Sequence, residues 1–325
     1  MRSTLVVVLT GGIIGIGGGL GTGCAGAINR FTVNSTAPVL KLGSAAMDSE
    51  SDLQLAREAA PASLKTVESF LVVSPENKDL LEVLAQGYSQ FAFGFTEDEL
   101  ESLGDSGDAA KKQSLVVRAT DYYDRGYGFA VRLAALEDKQ IVEAIKGDLA
   151  GLDNVLKHGD FDDAEDSIGI YWAGLSMASA INLNKDDMNR VADLPKVIAL
   201  LERAHQVGPN YFNHGPALAL GVVYASQGKA MGGDPVRAKI MFDEVINATG
   251  GKYLMAKVLY ARVYATVVQD RPLFEKTLKE VIDAPADIWP AQRLANELAK
   301  KRAVRYLAQA EDLFLPPEPA GADKQ

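Results

Sequence analysis

From about Ser49 to Phe314 the chain reads as almost nothing but α-helix. Apolar residues recur at spacings of three and four, alanine is abundant and the breaks between periodic runs are short, which is the pattern of one buried stripe per helix. The segment from about Pro290 to Phe314 shows it most plainly. Ala295, Leu298, Ala299, Ala303, Tyr306, Leu307, Ala310 and Phe314 fall on one stripe, and Lys300, Lys301, Arg305 and Glu311 fall elsewhere. Start signals support the reading. Asp234-Pro235 places an N-cap before a proline at the first helical position, Ser74-Pro75 repeats the device, and Thr96 with Glu99 has the spacing of a capping box. The body, residues 49–315, is therefore expected to be all-α.

Within it a small residue followed three places later by tyrosine recurs, as Ala85–Tyr88, Gly221–Tyr224 and Ala261–Tyr264, the last two units 40 residues apart. A small residue lets a paired helix approach, and an aromatic one turn on fills the gap. With Ala204 and Pro209 before, and Ala238 and Phe242 between, the spacing approaches that of tetratricopeptide repeats, with Leu220-Gly221-x-x-Tyr224 the cleanest first helix. A helical array without that ancestry is the alternative. Either way, stacked antiparallel hairpins bury a continuous core and present a long curved surface. Tyr171, Trp172, Tyr224 and Tyr264 are the candidates to line a groove, because an aromatic can face a cavity and keep a polar tip. Ordinary packing is the competing reading for each.

The N-terminus raises a different question. Residues 21–26 read GTGCAG and satisfy G-x-G-x-x-G, but no amphipathic helix follows and Pro38 interrupts the next stretch, so a dinucleotide-binding turn is a poor fit. A secretory signal fits better: Arg2 as the positive start, an uncharged apolar run from Leu5 to Leu20, then small residues up to Cys24. The layout resembles a bacterial lipoprotein signal, with residues 1–23 removed and Cys24 carrying the lipid. Gly21 stands where leucine is usual, while Thr22 and Gly23 match. An ordinary signal with an incidental cysteine and a retained membrane anchor are the alternatives. Ala25, rather than aspartate, after the cysteine favours the outer over the inner membrane, with the body in the periplasm. Residues 24–48 are expected to be a flexible tether and residues 316–325, rich in proline, a disordered tail.

Several function classes fall away on composition. Net charge is −10, from 33 basic and 43 acidic residues, with no basic cluster, so a nucleic-acid surface is not expected. Cys24 is the one cysteine, and His158, His205 and His214 form no metal-ligand spacing, so neither a metal nor a cofactor site is expected. The acidic run His158–Asp166 lacks the glycine and distal glutamate of a calcium loop, and it reads as a solvated loop ahead of a helix. Glu97, Asp98, Glu99 and Glu101 read the same way. No nucleophile elbow or Cys/His pair is present, and no catalytic residue is assigned.

Taken in order, several segments resemble one family. They are Ala60-Pro-Ala-Ser-Leu64, Val72-Val-Ser-Pro-Glu-Asn77, Leu80 to Tyr88, Tyr122-Tyr-Asp-Arg-Gly126, Tyr171-Trp172, Gly232 to Ala238 leading to Phe242, and Leu294 to Ala299 through Asp312-Leu-Phe314. Together they resemble the TRAP transporter T-component family of periplasmic lipoproteins over roughly Ser51 to Phe314. The resemblance implies tetratricopeptide-like hairpins around a central groove or pore and association with a periplasmic TRAP solute-binding protein. It also implies self-association, for instance as a trimer, and no catalytic residues. A small organic or apolar ligand in the groove belongs to the same expectation. The alternative from the residues alone is a tetratricopeptide scaffold for envelope protein assembly.

Overall fold

The computed structural model describes residues 22–105, 107–228 and 231–315. The signal peptide expected at 1–23 lies outside these residues up to Gly21, as does the tail at 316–325. Among the described residues the fold is all-α, without strands. The helices are α1 (Thr22–Asp48), α2 (Leu53–Val73), α3 (Lys78–Phe91), α4 (Asp98–Ser102), α5 (Ala109–Glu137), α6 (Ile141–Lys146), α7 (Leu149–His158) and α8 (Ser167–Leu183). They continue as α9 (Met188–Ala192), α10 (Leu194–Val207), α11 (Tyr211–Ser226), α12 (Pro235–Ala248), α13 (Leu254–Leu259), α14 (Arg271–Asp283), α15 (Arg293–Ala308) and α16 (Ala310–Leu313). Two π-helical segments are spliced in: Ala92–Glu97 between α3 and α4, and Tyr260–Ala265 after α13.

Aspartate and asparagine start many of these helices. Asp52, Asp108, Asp187 and Asp234 each accept hydrogen bonds from two backbone N–H groups of the first turn, and Asn77, Asp148 and Asp270 from one. Such a side chain satisfies amides that the helix itself leaves open. Two expected starts are corrected. Ser74 caps the C-terminus of α2, and α3 begins after Asn77, so Pro75 sits in the turn between them. Thr96 lies inside a π-helical turn rather than at an N-cap, and α4 starts without a side-chain cap because the chain enters it already helical.

Small residues set how closely the central helices pack. On α5, a Cβ at Gly126 would sit 2.6 Å from Ser89 Oγ of α3 and 3.3 Å from Ser176 Oγ of α8. Those two hydroxyls bond each other at 2.9 Å. Two turns further along α5, a Cβ at Gly169 of α8 would lie 2.8 Å from the Ala134 Cα. The antiparallel pair α5–α8 thus meets backbone to backbone at Gly169 and through the Ser176 hydroxyl at Gly126, where α3 is wedged against both helices. The Gly221–Tyr224 unit packs as its spacing suggests: a Cβ at Gly221 would be 3.2 Å from the Phe242 ring of α12, and Tyr224 is buried beside it.

The segment expected as a tether is corrected as well. Residues 22–48 form one 27-residue helix that carries Pro38 inside it. Val33 and Ala37 are buried against the body, Leu40 and Met47 pack on the same core, and the helix touches α2, α3 and α15. Asn34 accepts hydrogen bonds from Ser74 Oγ (2.6 Å) and Asn77 Nδ2 (2.9 Å), and Lys41 pairs with Glu82 at 2.7 Å. Ordered contacts of this kind outweigh the proline, which removes one hydrogen bond from the ladder.

The α5–α8 approach gives a direct test. Gly169→Ala forces a methyl into the Ala134 backbone, an overpacking expected to lower stability by about 1–3 kcal/mol. Urea denaturation of the variant should show an earlier midpoint with an unchanged slope.

Candidate functional site

The cleft between α2, α5, α15 and the π-helical segment Ala92–Glu97 has a volume of about 590 Å³. Phe91, Phe95, Leu115 and Leu298 contribute its apolar surface, and Arg57, Arg118 and Lys301 stand with Glu58, Asp98 and Glu99 among the charged residues. The π-helical turn positions this wall. It leads directly into Asp98 at the start of α4, and Gly94 within it lets Leu298 approach to 3.1 Å of where a Cβ would be.

Behind the cleft the acids of α4 meet the bases of α15. Asp98 is 4% exposed, and its carboxylate accepts from Lys301 Nζ at 2.6 Å and Arg305 Nη2 at 2.7 Å. Glu101 accepts from the same Arg305 nitrogen at 2.8 Å and from the Tyr306 hydroxyl at 2.7 Å. Arg302, 1% exposed, donates to the Phe93 carbonyl at 2.6 Å and lies 4.1 Å over the Phe93 ring. Burial opposes the charge on Asp98, but the hydrogen bonds from Lys301 and Arg305 outweigh it and hold the carboxyl below its ordinary value. Glu97 differs. Burial pushes it up to about 7, against a hydrogen bond from Tyr123 and the nearby Arg302. One carboxylate is thus fixed as an anion and its neighbour titrates near neutrality. Reading all four acids as solvated is corrected for Asp98, which α15 covers with cations, and for Glu97, which burial keeps from ionising at its ordinary value.

The predicted groove aromatics lie elsewhere. Tyr171 and Trp172 of α8 are buried, 4.8 Å apart between ring centroids, in a cluster with Tyr211 and Phe212. Trp172 Nε1 donates to the Tyr211 hydroxyl at 2.9 Å, which donates to Glu82 at 2.9 Å, and Glu82 also pairs with Lys41 of α1. Four elements therefore meet at one polar chain inside an aromatic wall. Tyr224 is buried, donates to Glu202 at 2.6 Å, and lies 4.2 Å under the Arg237 guanidinium. Tyr264 stacks on Tyr260 at 5.1 Å and is half-buried. None of the four borders the 590 Å³ cleft.

The aromatic cluster carries an unusual backbone. Phe212, Asn213 and His214 are all left-handed, with φ of 49°, 56° and 62°, before α11 resumes at Gly215-Pro216. Consecutive left-handed turns are costly for residues with a Cβ. Gly215 needs no side chain here, because a Cβ would collide with the Tyr171 hydroxyl. His214 Nδ1 is shielded from solvent and has no hydrogen-bond partner among the described residues. His205, by contrast, bonds Glu244 at 2.9 Å, and His158 ends α7 ahead of the acidic loop. In that loop Asp163 accepts from the amides of Glu165 and Asp166. Cys24 lies in α1, and its side chain is outside what is described.

An all-α body with a charged, aromatic-floored cleft is what fold and site define. Residues 49–314 match the family described as TRAP transporter T-component. The chain belongs to that family. It is also similar to an uncharacterized protein of Treponema pallidum (strain Nichols), 24% identical over 269 residues that cover 82% of this chain and 81% of the relative. As a family member it is an accessory component of the TRAP transport system, and the family is not one of enzymes.

Two measurements probe the site. Glu97 holds a proton in the folded state at pH values where the unfolded chain, with its carboxyl near 4.5, has lost it, so stability falls as pH rises from about 4.5 to about 7. Glu97→Gln should remove that loss, making the variant more stable than the parent by about 1–3 kcal/mol at pH 8 and closer to it at pH 4.5. His214→Gly relieves one left-handed residue and removes a shielded, unpaired nitrogen. Thermal unfolding should show a gain of about 1 kcal/mol.

Proposed function

We propose that this protein is the lipid-anchored, periplasmic accessory component of a TRAP-type uptake system, docking the solute-binding protein beside the membrane. The observation that carries the reading is the family match across residues 49–314, which takes in α2 through α16 and the whole of the cleft. The chemistry of that cleft supports binding. Its apolar wall of Phe91, Phe95, Leu115 and Leu298 suits the hydrocarbon part of a small organic ligand, and Arg118 at its rim suits an acid group. The carboxylates of Asp98 and Glu99 are engaged by cations, Asp98 by Lys301 and Arg305, Glu99 by Arg57 and Lys111, so they act as struts of the wall. Energy for uptake comes from the transporter's ion gradient, and this chain makes and breaks no covalent bond. Lipid on Cys24 holds it at the outer membrane, and self-association as a trimer belongs to the same proposal.

The test is purification of the acylated protein from its native membrane, with mass spectrometry of what accompanies it. A TRAP solute-binding protein is expected. Recovery of barrel-assembly components in its place would overturn the reading in favour of an envelope-assembly scaffold. Cys24→Ser should move the protein from the membrane to the soluble periplasmic fraction, and a variant that stays with the membrane refutes the lipid anchor.

A further inference from the structure

Helix α1 has two apolar faces. One, through Val33 and Ala37, is buried against α2 and α3. The other is bare: Ile28, Phe31, Val39 and Leu42 are 64%, 74%, 63% and 76% exposed. With Ser35 and Ala46 these follow one another at spacings of three and four, so at 100° per residue they form a single strip on the side of the helix away from the body. Cys24 falls four residues before Ile28 in the same register.

We propose that this strip lies in the surface of the lipid bilayer, so that α1 sets the body down on the membrane in one fixed orientation. The proposal rests on the membrane anchoring proposed above. Three observations favour lipid as the occupant. The strip continues directly from the anchor: the uncharged run Leu5–Leu20 and then Cys24 precede it, and whichever of these enters the bilayer brings the strip to the same surface. Residues 22–47 hold no aspartate or glutamate, in a chain of net charge −10, so this is a long stretch of surface that an anionic headgroup layer does not repel. The helix is also unbroken from Thr22 to Asp48 and is fastened to the body by Asn34 and Lys41. A fastened helix cannot lift its apolar face into water without lifting the protein. From Cys24 to Leu42 the strip runs about 27 Å at 1.5 Å per residue, long enough to lie flat with its apolar face about 5–10 Å into the headgroup boundary.

The experiment uses the full-length acylated protein in vesicles of phosphatidylethanolamine and phosphatidylglycerol. Nitroxide labels are placed through Phe31→Cys or Leu42→Cys, with Asp186→Cys, on an exposed loop of the body, as the water-facing reference. Collision rates with oxygen, which concentrates in lipid, are compared with those of a water-soluble nickel chelate. The expected result is an oxygen-to-nickel ratio several-fold higher at positions 31 and 42 than at 186. Protein that sediments with the vesicles but shows the same ratio at all three positions overturns the docked helix and leaves the anchor standing. Labels at 31 and 42 that are shielded from both reagents and broadened by each other show that a second copy covers the strip, which also overturns the proposal. Protein left in the supernatant refutes the anchor and the docking together.

Discussion

The close approach of α5 to α8 is the constraint on which the rest of the body depends. At Gly126 and at Gly169 there is no room for a side chain, and the Ser89–Ser176 hydrogen bond sits beside the first of these points. Because α5 is long and pinned at both, it fixes the angle at which α3 lies on one flank and α10 follows α8 on the other. The buried Trp172 occupies the layer so formed, and through Tyr211 and Glu82 it ties that layer to α3 and α1. Small residues at crossing points therefore determine where aromatic and polar groups can be placed deeper in.

The second organising interaction is ionic. Arg302 is nearly inaccessible to water, and it is held by a carbonyl, an aromatic face and the field of three acids. Burying such charges costs several kcal/mol each unless they are well paired, and removing one partner is worse than never having had the pair. The arrangement fixes which faces of α4 and α15 meet. It also leaves Glu97 as the group whose protonation the surroundings tune, beside a cleft wall made by the same π-helical turn.

Much of the helical body was legible in the sequence, because a single buried stripe at spacings of three and four has one physical interpretation. The stripe read for the last helix reappears in the buried Leu298, Ala299, Ala303, Tyr306, Ala310 and Phe314. Helix α1 was not legible for the opposite reason. Apolar residues on both of its faces leave no contrast for a periodicity argument, and Pro38 points the same wrong way. The site was only half visible. Tyr171 and Trp172 were singled out by residue type, which does not separate a cavity wall from a core, and here they pack the core. The partners Asp98 and Lys301 lie 203 residues apart. Glu97, Asp98 and Glu101 do share the spacing of Lys301, Arg302 and Arg305, so a search for matched charge patterns could have paired them. The residue types of Phe212, Asn213 and His214 do not signal their three consecutive left-handed conformations, which lie against the buried Tyr171.

That same long-range pairing changes the kind of object this is. In an open stack of hairpins each unit touches only its neighbours, so the array can lengthen, shorten or fray from an end. Here α15 reaches back to α1, α2 and α4, and the chain is buckled like a belt. A buckled belt has a set circumference. Adding or deleting one hairpin would pull Arg305 away from Asp98, so members of this lineage are expected to vary in their turns and keep their number of helices.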